Sequence, residues 1–119
     1  MIRTEVVRRL VLNSICDDFE NVDQVILRDV AEAATRYGLT VERADVVDAL
    51  AGLVEDGLAK AYILRGSGRD PFSGVLQGMP VIDTVEEDFQ TYFFITKKGM
   101  DLHLADDTWR PLDEEGKPR

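Results

Sequence analysis

Over residues 4–19, Val6, Val7, Leu10, Val11, Ile15 and Phe19 recur at intervals of three and four, the repeat of one face of a helix. Ile2 and Leu12 widen that stripe beyond a single contact surface. A helix apolar on more than one side needs two neighbours, and a partner subunit could be one of them. Arg3, Arg8 and Arg9 occupy the remaining face. Residues 17–21, DDFEN, break the pattern. A second helix is predicted over 24–37, with Ile26, Leu27, Val30, Ala31, Ala34 and Tyr37 inward. Asn21 or Asp23 can cap it, Gly38 stops it, and Leu39 is placed to fold back on its last turn.

The third helix begins after Thr40, a candidate N-cap, and buries Val46, Val47, Leu50, Leu53 and Val54. Gly57 ends it in the left-handed conformation open to glycine. Helix, short glycine-containing turn and helix together make a helix-turn-helix arrangement. Residues 58–64 then turn extended, and 91–95, TYFFI, form a second dense β-type run that should pair with them antiparallel. The intervening 66–89 segment, with Gly74, Gly78, Pro71 and Pro80, makes a long tip whose role the pattern does not reveal. Thr96 opens a short terminal helix that runs to Leu104. The expected architecture is α+β: a three-helix core, a two-stranded antiparallel wing with a long tip, and a short C-terminal helix. Residues 1–105 form the domain and 106–119 an acidic, flexible tail.

The pattern Leu50-x-x-Leu53-x-x-Asp56-Gly57-Leu58, followed by a strand and then Ile95-Thr96-x-x-Gly99, resembles winged helix-turn-helix regulators over roughly residues 4–104. The resemblance implies a winged-helix fold and a homodimer. It also implies a DNA-binding transcriptional regulator, although some members serve as protein-interaction modules. Such short leucine-rich motifs specify a fold better than a function.

Charge changes that picture. The chain has a net charge of −9 and a pI near 4.5, a balance that repels nucleic acid and anionic membrane. Residues 41–60 contain five acids and two bases. The outward face of the third helix reads Glu42, Asp45, Asp48, Ala49, Gly52, Glu55 and Asp56, with Arg43 its one basic side chain. Base readout in the major groove favours Arg, Lys, Asn or Gln. Direct reading by this helix is therefore disfavoured. A wing-led mode would contact phosphates through Arg65 and Arg69, with Arg43 and Lys97 as further nucleic-acid contacts. Solvated surface is the plainer reading of those side chains. In a protein-interaction reading, Glu42, Asp45, Asp48, Ala49 and Gly52 form the partner-binding face. The small residues would let a partner approach closely, and the acids would meet its basic side chains.

Enzymatic and metal chemistry find little footing. One cysteine, Cys16, and one histidine, His103, exclude an internal disulfide and the common zinc sites. Cys16 reads as a small buried hydrophobe and His103 as a structural side chain. The acidic runs 17–20, 86–88 and 106–107 lack calcium-loop spacing. Gly66-Ser67-Gly68 follows a strand, but no helix start follows it to hold a phosphate. No signal-peptide or membrane-spanning run is present. The expectation is a cytoplasmic, non-enzymatic protein with no catalytic residues, no cofactor and no metal. It would be homodimeric and would act as an interaction or regulatory module, with DNA binding as the alternative.

Overall fold

Among the described residues of the first helix, the apolar stripe is buried within the chain. In α1, Arg3–Ser14, Val6, Val7, Leu10, Val11 and Leu12 are each at most 4% exposed. The computed structural model describes residues 3–63, 74–75, 78–80, 90–105 and 115. Within them α1 lies against α2 (Leu27–Ala34), α3 (Arg43–Glu55) and α4 (Lys97–Ala105). Leu12, one of the two residues that widened the stripe and suggested a partner subunit, is fully buried within the chain, and Ile2 lies outside the described residues. Arg9, expected on the solvated face, is also buried and pairs with Glu5 at 2.7 Å.

Helix α1 stops at Ser14, short of the predicted 19. The carboxylate of Asp18 accepts from the amide of Phe19 at 2.7 Å, a local bond that competes with helix continuation. Phe19 leaves the helical stripe. Its ring stacks on Phe94 at 4.8 Å and meets Tyr62 edge-on at 5.0 Å.

The protein is α+β, with four α-helices and an antiparallel sheet. The expected two-stranded pairing is present between β2 (Ala59–Ile63) and β4 (Thr91–Ile95), but the sheet is larger than two strands. The two-residue β1, Glu20–Asn21, pairs with β4 on one side, and the two-residue β3, Gly74–Val75, pairs with β2 on the other. Burial alternates along β4, with Thr91, Phe93 and Ile95 inward and Tyr92 and Phe94 on the outer face, the two-residue period of a half-buried strand. Most of the tip and the 106–119 tail lie outside the described residues. No helix among the described residues is long and apolar enough to cross a membrane.

Asn21 caps the chain after β1. Its Oδ1 accepts from the amides of Asp23 and Gln24, and its Nδ2 donates to the Thr91 carbonyl at 2.8 Å. A π-helical turn, Val22–Ile26, leads into α2, so the predicted helix of 24–37 is regular α only between Leu27 and Ala34. A 3-10 turn, Thr35–Tyr37, follows. Gly38 (φ 71°) and Gly57 (φ 74°) end their helices as expected. After each, the paired bonds of a Schellman ending form: Leu39 N–H to Ala34 O with Gly38 N–H to Thr35 O, and Leu58 N–H to Leu53 O with Gly57 N–H to Val54 O.

The Thr96-x-x-Gly99 motif has a structural cause. Thr96 Oγ1 accepts from the Gly99 amide at 3.0 Å and donates to the Gly57 carbonyl at 2.6 Å, so one hydroxyl caps α4 and ties it to the end of α3. Gly99 lies so close to Leu58, the residue before β2, that an added Cβ would run into the Leu58 carbonyl and stand 2.8 Å from Ile95 Cγ1. Gly99→Ala should therefore destabilise by about 1–3 kcal/mol, the usual range for overpacking, read as a lower midpoint in urea unfolding. An unchanged midpoint would mean that α4 is not held at this distance.

Candidate functional site

The third helix carries the residues on which function was expected to turn. Its N-cap is Glu42, in extended conformation (φ −108°, ψ 169°), in place of Thr40. Asp45 reaches back and accepts from the Glu42 amide at 2.9 Å, one half of a capping box. Asp45 also receives both ends of the Arg3 guanidinium, Nη1 to Oδ1 at 3.1 Å and Nη2 to Oδ2 at 3.0 Å, while Arg3 Nη2 donates to the Thr40 carbonyl at 2.6 Å. The Arg3 hydrogen bond, helped by the Glu42 amide, holds the Asp45 carboxyl below its ordinary range, and the same bond raises Arg3.

Ala49 and Gly52 were expected to face outward. The structure turns both toward α1: Ala49 is 6% exposed, and Gly52 is half-buried beneath the Arg8 guanidinium. The reason is the second apolar side of α1, which needs close cover that small side chains allow. Arg8 then reaches Asp56 at 2.6 Å. A groove of about 260 Å³ runs along this seam. Its α1 wall includes Arg3, Val7 and Arg8. On α3 it is lined by Asp45, Asp48, Ala49 and Gly52, four of the five residues assigned to the partner-binding face. The fifth, Glu42, is exposed at the helix start.

The arginines of α1 are what sequence reasoning missed. Two of the five acids in 41–60 are neutralised by them. A signal was present: a mid-helix glycine is well suited to lie beneath a long side chain from a neighbouring helix. Glu42, Asp48 and Glu55 are the acids of α3 that remain exposed without an ion pair among the described residues.

The candidate nucleic-acid contacts are not brought together. Arg43, the one base of α3, is turned inward. Its Nε and Nη2 donate to Asp23 Oδ1 and Oδ2 at 2.7 and 3.0 Å, with the two side chains 13% and 7% exposed. Lys97 pairs along its own helix with Asp101 at 3.2 Å. Arg65 and Arg69 lie outside the described residues.

A second groove, about 330 Å³, opens between the end of α1 and α2, where Asp17, Asp29, Glu32 and Arg36 surround the apolar Leu10 and Ala33. Nearby Glu20 is raised by burial and by Asp18, Asp17 and Asp29. Burial, then Asp17, raises Cys16 in the same way, which makes its thiol a poorer nucleophile. Among the described residues no group of three or more His, Cys, Asp or Glu side chains could hold a metal ion. His103, on α4, is 7% exposed. No protein-family model, curated protein or solved structure matches the chain.

Two outcomes follow from these ion pairs. Arg43→Ala would strip the buried Asp23 carboxylate of its bidentate partner and should cost on the order of 3 kcal/mol, measured by denaturant unfolding; a change within error would mean Asp23 is held equally well by its other contacts. Asp45 has a folded pKa below the unfolded value of about 3.9, so its ionised form contributes stability above that pH. The contribution is lost as pH falls through the lower folded value. Asp45→Asn should therefore reduce the acid-side loss of thermal stability, and a parallel acid limb in the variant would remove Asp45 as its source.

Proposed function

We propose that the chain is a winged-helix domain that works as a cytoplasmic, non-enzymatic protein-interaction module and does not read DNA through its third helix. The succession of α2, a turn at Gly38 and α3, followed by the β2–β4 pair and a Thr96-capped helix, supports the winged-helix reading.

One observation carries the functional half. The only base on α3 is committed to Asp23 in a shielded bidentate pair, and Glu42, Asp48 and Glu55 are the charges α3 leaves exposed and unpaired among the described residues. A helix presenting carboxylates to phosphates and base edges would lose their hydration without gaining a partner. Freeing Arg43 for a base contact would require breaking an internal ion pair, which costs more than one exposed phosphate contact returns.

The test is fluorescence anisotropy of a labelled random duplex titrated with the full chain at low ionic strength. The expected result is no saturable binding. Binding that weakens steeply with added salt would overturn the proposal. Should it also vanish on replacing Arg65 and Arg69 by Ala, the wing-led DNA-binding regulator becomes the better reading.

A further inference from the structure

We draw no further inference here: the strongest candidate, the groove of about 330 Å³ between the end of α1 and α2, is a cluster of the exposed acids Asp17, Asp29 and Glu32 beside the exposed Arg36, and the Ser14 Oγ in its wall, which has no hydrogen-bond partner among the described residues, is closed off from solvent on a half-buried residue, so nothing in the structure shows what would occupy it.

Discussion

A helix that is apolar on two sides has to be wrapped, and α1 is wrapped by α2, α3 and α4. Most of what distinguishes the exposed face of α3 follows from that constraint. Burying a Val, Leu or Ile side chain contributes about 1.5–3 kcal/mol, and α1 with the following Ile15 buries six of them. The exposed ion pairs between α1 and α3 contribute at most about 1 kcal/mol each. Packing therefore decides how the two helices lie, and Arg3 and Arg8 take up the acids that this placement brings within reach. The small residues at 49 and 52 are turned inward for the same reason.

Local chemistry in the chain was legible where its cause was local. Gly38 and Gly57 end their helices because a left-handed residue closes two bonds within six residues. The antiparallel pairing of β2 with β4 followed from two dense β-type runs. The Thr96-x-x-Gly99 spacing marked a helix start, and the structure adds the close approach to Leu58 that fixes the glycine. What stayed hidden had no periodicity to read. A two-residue strand such as β1 leaves no pattern, and the π-helical turn at Val22–Ile26 shifted the start of α2. Alanine and glycine are ambiguous in any hydrophobic pattern, since they suit solvent and tight helix contact equally. The outward assignment of Ala49 and Gly52 failed on that ambiguity.

Charge was misjudged for a different reason. Counting acids over 41–60 treats each as if its partner were nearby in sequence. The partners of Asp45 and Asp56 lie 42 and 48 residues away, and that of Arg43 lies 20 away. Tertiary pairing removed two negative charges from the face and, in the same step, its one positive charge. The sign of what remains is unchanged, but it is carried by Glu42, Asp48 and Glu55, three positions spread along the helix.

These pairings also anchor α3 at both ends. At its start, Asp45 is joined to the Glu42 amide and to Arg3, and Arg43 is locked to Asp23. At its end, Lys98 donates to the Asp56 carbonyl at 2.9 Å and Thr96 to that of Gly57. A cation at the last carbonyls and carboxylates in the first turn both suit the helix dipole. Glu55 and Asp56 oppose it, and Lys98 with Arg8 offsets them locally. A helix tied at each end by polar contacts to α1, to the π-helical turn before α2 and to α4 cannot shift without breaking several of them together. Its exposed carboxylates are thus presented in a fixed geometry, and fixed geometry suits docking of a preformed partner better than reshaping around one.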